Sequence, residues 1–330
     1  MARLRLTLAC GDYDRTRALG EGTIRPDGIE LTYLRLPVEE TFFRMLRHQE
    51  FEVAEMSLSS YVVSLQQDPA PFIAIPVYTS RSFRHSSVYV NAEAGITTPA
   101  DLRGKIVGTP EFQLTASVWI RGILAEHHSL PIESMTHLTG GQEQPGRVEK
   151  QALNLPADIR VKRVEAGRTL SDMLARGDLD ALITPRIPSP FAARDPRVRR
   201  LFDDVVGAEQ AYFAATRIFP IMHVVVIRRD VYERSPWVAA SLYKAFALAK
   251  EEARKQLYDS SALRFMVPWL NQHIEEAERT LGTDYWSYGL ESNRHTLETF
   301  LHYHHEQGLS KRLLSPEELF APESGESAVI

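Results

Sequence analysis

The sequence predicts an α/β protein built as two similar lobes, and three observations carry that expectation. The segment TFFRMLRHQEFEVAEMS (41–57) is echoed by TLSDMLARGDLDALITP (169–185). Each copy reads as a helix with a Met-Leu pair, an acidic-apolar-acidic turn and a buried strand. Met45 and Met173 lie too far apart for a solenoid repeat, so the echo fits one copy per lobe. Finally, apolar strand-like runs near residues 90 and 220 mark where the chain would leave the first lobe and return to it. The expected division is 1–90 plus 220–330 for lobe one and 91–219 for lobe two, joined by two crossover strands that make a hinge.

The elements follow in order. RLRLTLA (3–9) alternates as a strand and runs into Cys10-Gly11-Asp12-Tyr13, where a helix opens near Asp14. GIELTYLRL (28–36) is a second strand, PVEETFFRMLRHQ (37–49) a helix, and FEVAEMS (51–57) a third strand ending at Ser57. SSYVVSLQQ reads as helical. RHSSVYVN alternates as a strand, followed by a strand at 105–109 and a helix from Thr115. TRIFPIMHVVVIRRDVY (216–232) is the returning apolar strand. SPWVAASLYKAFALAKEEARKQL then offers Ser235 as N-cap and Pro236 at the first helical position, opening a helical C-terminal segment expected to pack on lobe one. The last stretch, SPEELFAPESGESAVI, loses periodicity, and its end is expected to be mobile.

Composition narrows the function classes. The 330 residues are 44% apolar, enough for a substantial core. Lys plus Arg number 38 against 43 Asp plus Glu, a formal charge of −5, with no basic block of the nucleic-acid-binding kind. Any anionic ligand must be held by local cations. Cys10 is the single cysteine, so intrachain disulfides and cysteine-based zinc sites are excluded. The apolar run in MARLRLTLACGDYDR is too short for a secretory signal or a membrane span. A cytoplasmic chain with no membrane partner is expected.

In a hinged fold, strand ends and helix starts facing a cleft hold the ligand. That criterion selects Asp12, Tyr13, Ser57, the stretch Arg81 to His85, Thr109 to Thr115, Thr184 to Arg186, and Phe219 to His223. Arg81 and Arg84 suit a carboxylate clamp, since a guanidinium matches two carboxylate oxygens; the plainer alternative is surface decoration. Thr115 and the helix it opens suit an anion, or form an ordinary cap. His85 and His223, both placed on crossing strands, are proton carriers or structural histidines. Glu111 either orients or shares a proton, or is a surface acid. HYHH (302–305) has no evident acidic partner, and no metal site is expected. Gly140-Gly141 lacks the nucleotide-loop pattern.

Beyond these residues, LACGDYDRTRAL, FEVAEMSLSSYV, IPVYTSRSFRHSSVYVN, DLRGKIVGTPEFQLTASVWIRGIL, FPIMHVVVIRRDVY and YGLESNRHTLETFLHYHHEQGLS resemble the 4,5-dihydroxyphthalate decarboxylase family over almost the whole chain. That family is similar to type II periplasmic binding proteins, which implies the two-lobed fold expected above. The resemblance implies decarboxylation of 4,5-dihydroxyphthalate to protocatechuate and carbon dioxide, without a cofactor, in aromatic breakdown. Such chemistry asks for a carboxylate clamp, assigned to Arg81 or Arg84 with Thr115, and Arg186 as a second candidate. It also asks for a proton donor to carbon, His85 or His223, and for a group on the catechol hydroxyls, Asp12, Tyr13 or Glu111. Two other classes stay open: a solute-binding protein for an organic anion, and a same-fold enzyme such as a thiamine-pyrimidine synthase. The expected partner is a small aromatic carboxylate, and the C-terminal helices leave room for a homo-oligomer.

Overall fold

A computed structural model describes residues 3–324. The chain begins with β1 (Leu4–Cys10), α1 (Asp14–Gly20), β2 (Ile29–Arg35), α2 (Val38–His48), β3 (Val53–Ser57), α3 (Leu58–Ser64) and β4 (Phe72–Arg81). It continues with β5 (Val88–Asn91), β6 (Ile106–Thr109), α4 (Thr115–His128), β7 (Thr136–Thr139), β8 (Val161–Arg163), α5 (Leu170–Arg176), β9 (Ala181–Ile183), α6 (Ser189–Ala192), β10 (Val198–Arg200) and α7 (Val205–Thr216). β11 (Ile221–Arg228), α8 (Arg229–Arg234), α9 (Trp237–Leu257), α10 (Leu270–Leu281) and α11 (Arg294–Glu306) complete it.

These elements gather into two compact units. The first holds the described residues up to Arg81, Arg217–Glu298 and those from Leu314 onward; the second holds Ser82–Thr216 and Thr299–Leu313. The division falls at Arg81/Ser82 rather than near residue 90, and the end of α11 with the turn after it joins the second unit instead of the first.

In the first unit a five-stranded sheet runs β2-β1-β3-β11-β4. β1 pairs parallel with β2 and β3, whereas β11 is antiparallel to both β3 and β4. The C-terminal ends of β1, β3 and β4 and the start of β11 therefore share one edge. β3 is buried at every position, as a central strand covered on both faces must be. The described part of the tail is anchored: Phe320 bridges to Ala74, and Leu319 is fully buried. The end expected to be mobile lies beyond Ser324, outside the described residues.

In the second unit the order is β10-β5-β9-β6-β7-β8, with β6 parallel to β7 and β9, and β5 antiparallel to β9 and β10. The echo is visible here: α5 and β9 repeat the helix-turn-strand of α2 and β3, with Met45 and Met173 both buried. Gly122 in α4 lets the ring of Tyr303 lie against the helix, since a Cβ there would sit 2.1 Å from the ring. Overpacking of that kind forces the helix aside, which explains a glycine in mid-helix.

Three local expectations change. The run before VYVN is not one strand: β4 ends at Arg81, His85–Ser87 make a single 3-10 turn, and β5 holds four residues. His85 therefore lies on no crossing strand. α9 starts at Trp237, one residue later than Pro236, and has no side-chain cap from Ser235. His302 does have an acidic neighbour, with Nε2 3.2 Å from Oε1 of Glu306. No helix among the described residues is long and apolar enough to cross a membrane.

Candidate functional site

The shared strand edge of the first unit gathers a polar cluster around a residue the sequence reading passed over. Glu55 sits in the middle of β3 with no exposed surface. Register explains its neighbours. Ser57 faces His223 across the β3–β11 ladder and Glu55 faces Val225, so Glu55 and His223 project from the same face as diagonal partners. His223 Nδ1 lies 2.7 Å from Glu55 Oε1. The same oxygen accepts from the hydroxyl of Tyr13 at 2.8 Å and of Thr79 at 2.9 Å. The other oxygen accepts the Gly11 N–H at 2.9 Å and faces Cys10 Sγ at 3.5 Å.

A buried carboxylate is tolerable only when its lone pairs are filled, and these are. Burial pushes the Glu55 carboxyl upward. Hydrogen bonding and charge from His223, then the Gly11 N–H and the Tyr13 hydroxyl, more than reverse that and hold it down to about 2. Glu55 is thus an anion at neutral pH. Burial, then the nearby Glu55 charge, pushes the phenol of Tyr13 and the thiol of Cys10 up, so both stay protonated. With Nδ1 fixed by the carboxylate, the Nε2 of His223 is the ring nitrogen left to exchange a proton with a ligand. The side chain is 17% exposed, enough for a ligand to reach it, and the Phe42 ring meets it edge-on at 4.9 Å. A histidine oriented by a buried carboxylate is an arrangement suited to proton transfer.

The other candidates in this unit divide. Asp12 is exposed and sits 3.5 Å from Arg35. Ser57 caps α3, its hydroxyl accepting the Ser60 N–H. Arg81, expected as a clamp, is turned inward: its guanidinium donates to the Phe219 carbonyl at 3.0 Å, to the Ser287 carbonyl at 2.8 Å and to Asn293 Oδ1. Burial pulls its pKa down to about 10, which still leaves it charged at neutral pH. The clamp reading gives way to a latch tying β4 to the segments before β11 and α11. Arg81→Ala is expected to destabilise the protein by about 3 kcal/mol, because it strands buried acceptors. Thermal unfolding checks this; an unchanged midpoint together with a raised KM would restore the clamp.

In the second unit, Thr109 ends β6, with its hydroxyl 2.7 Å from that of Ser117. Thr115 is buried at the first turn of α4. Glu111, expected at the surface or as a proton carrier, is 1% exposed and held by Arg147 at 2.7 Å and by Lys150. Its charge is neutralised by these two cations from the segment between β7 and β8. His85 is buried against Phe202 and Tyr212, and burial, helped by His128 and His127, pushes it down to about 4. At neutral pH it is an uncharged ring, poorly placed to donate as an imidazolium. Burial lowers Arg84 to about 10, opposed by Glu209. Arg186 is exposed just past β9, its N–H bonded to Thr184 Oγ1 at 3.3 Å. Among the described residues, no group of three or more His, Cys, Asp or Glu is arranged to hold a metal ion.

No family model matches the chain. Among solved structures it is similar to the periplasmic sulfonate-binding protein SsuA from Methylobacillus flagellatus, with a TM-score of 0.56 at 12% identity, covering 99% of this chain and 94% of that one. It is also similar to the desulfurization enzyme DSZB, with a TM-score of 0.53 at 15% identity, covering 99% of each chain. These likenesses show the type II periplasmic-binding-protein fold. Among curated proteins, the chain is 42% identical over 327 residues to a 4,5-dihydroxyphthalate decarboxylase from Comamonas testosteroni, covering 99% of each. It is 45% identical over 215 residues to a second protein of that name from Pseudomonas putida, covering 65% of this chain and 83% of that one. This chain belongs to the 4,5-dihydroxyphthalate decarboxylase family.

Proposed function

We propose that the protein decarboxylates 4,5-dihydroxyphthalate to protocatechuate and carbon dioxide, with His223 carrying the proton and Glu55 holding its ring. The observation that carries the reaction is 42% identity over 327 residues, 99% of the length of a relative of that name. The reaction sets the roles. Each carboxylate of the substrate has a hydroxyl para to it, so loss of a phenol proton pushes electron density onto the carboxyl-bearing carbon. That carbon takes a proton, the bond to the carboxylate breaks, and carbon dioxide leaves with the ring again aromatic. The substrate serves as its own electron sink.

A proton donor to carbon is therefore the central demand on the protein. Nε2 of His223 meets it, and the Glu55 carboxylate supplies charge opposite to that of a protonated ring. Tyr13 and Thr79 hold the carboxylate in place. Arg84, Arg186 and Thr115 stay proposed as carboxylate holders. A clamp of that kind does best on the carboxylate that stays, because holding the departing one favours the ground state over the transition state.

The test is turnover in heavy water. Purified protein given 4,5-dihydroxyphthalate is expected to release carbon dioxide and to place one deuterium at the vacated ring carbon. Stoichiometric binding of the acid without release would sink the enzyme reading and favour a solute-binding protein.

A further inference from the structure

Away from Glu55, the first unit holds a cavity of about 170 Å³ beside α9, whose lining includes Arg15, Lys250, Ala253, Arg254, Leu257 and Trp286. At about 30 Å³ per water molecule this is room for one six-membered ring with a carboxylate. The lining is two-natured. Residues 250, 253, 254 and 257 fall at helical spacing on one stripe of α9, so two cations and two apolar side chains face the same space. Trp286 adds an aromatic wall, with its indole N–H donating to the Tyr78 carbonyl at 2.9 Å.

The two α9 cations form long ion pairs and each has a tyrosine beside it, Lys250 over the Tyr288 ring and Arg254 hydrogen-bonded to Tyr258. Lys250, 13% exposed, has Nζ 3.3 Å from Asp284, 3.3 Å from Glu251 and 3.4 Å from the Trp286 carbonyl. Arg254 reaches Glu251 at 3.8 Å and Glu278 at 4.0 Å. All five distances exceed the usual N–H···O range of 2.7–3.2 Å. Arg15, by contrast, is well bonded, to the Thr79 carbonyl at 2.7 Å and Asp14 at 3.1 Å. Asp14 and Asp284 also line the cavity and compete for an incoming anion, so a bare ion gains little here. A ring that covers Trp286, Ala253 and Leu257 while its carboxylate takes up Lys250 and Arg254 gains from both halves of the lining.

We propose that this cavity is a binding site, distinct from the Glu55–His223 cluster, for a small monocyclic aromatic carboxylate. The site adjoins that cluster through side chains: the Arg15 guanidinium lies 4.4 Å from the Trp286 ring centroid and 4.1 Å from that of Tyr13, whose hydroxyl holds Glu55. The ligand class rests on the lining alone and not on the reaction proposed above.

Calorimetric titration of the whole protein with benzoate, and separately with acetate, tests it. Benzoate is expected to bind the wild type saturably and acetate not. Ala253→Phe fills the cavity and Arg254→Glu reverses a charge at its wall, and each is expected to weaken benzoate binding by roughly tenfold or more. Arg254→Glu changes a partly exposed side chain and guards against a fold defect in the filled variant. Benzoate affinity unchanged in Arg254→Glu, no benzoate binding at all, or equal binding of acetate would each overturn the site. Carbon dioxide release from 4,5-dihydroxyphthalate, measured on the same samples, reports on the decarboxylase reading separately.

Discussion

His223→Asn is expected to lower kcat by roughly 10²- to 10⁴-fold, the usual contribution of a positioned general acid, while leaving KM within a few-fold. The choice of asparagine isolates the proton. Its amide can stand near the place of Nδ1 and donate to Glu55 Oε1, which the imidazole now meets at 2.7 Å, so the buried carboxylate keeps a partner and the fold is preserved. What asparagine lacks is a second nitrogen able to pass a proton to the ligand. Steady-state kinetics with 4,5-dihydroxyphthalate decide the matter: kcat within tenfold of wild type would remove His223 from the chemistry. His85→Asn is the internal comparison. Its ring is buried among Phe202 and Tyr212 and is uncharged at neutral pH, so its effect should fall on stability instead of turnover.

These two histidines also show what was legible in the sequence. Periodicity exposes segments whose partners are near in the chain or whose burial is uniform. The α2–β3 and α5–β9 copies, β6, and the start of α4 at Thr115 all emerge that way. Alternation does not reveal where a strand breaks, because Ser, Arg and His fit either a strand or a turn. SRSFRHSSVYVN therefore read as one approach to one strand, whereas the backbone turns at His85–Ser87. Partnerships across long stretches were beyond reach. Arg81 finds Ser287 and Asn293 more than 200 residues away, and local sequence cannot tell an inward arginine from a ligand-facing one. Thr299–Leu313 joins the second unit through contacts such as Gln307 Oε1 accepting from Arg121 at 2.9 Å, a pairing that no periodicity signals. Glu55 did leave a trace: an acid inside VAEMS, a strand read as buried, has to be paid for by several donors. Which donors those are depends on the register of β3 against β1 and β11.

Glu55→Gln should be the most damaging single change in the first unit, costing on the order of 3 kcal/mol of stability and most of the activity. An amide of the same shape has one oxygen and one NH₂. With its oxygen toward Tyr13, Thr79 and His223, the NH₂ confronts the Gly11 N–H; with the amide reversed, it confronts three donors. Neither orientation satisfies the cluster, and the anion that orients His223 is gone. The pH dependence follows from the carboxyl's position, about 2 when folded against an ordinary 4.5. A depressed carboxyl contributes stability that is fully present above its unfolded value and is lost as pH falls through the folded one. Wild-type stability should therefore decline from about pH 4.5 toward pH 2, and the part of that slope due to Glu55 should vanish in Glu55→Gln. Denaturant unfolding of both proteins at pH 7 and pH 3 makes the comparison. If the stability gap between them is as wide at pH 3 as at pH 7, the carboxylate is not the charged centre of the cluster, and His223 must be oriented by some other group.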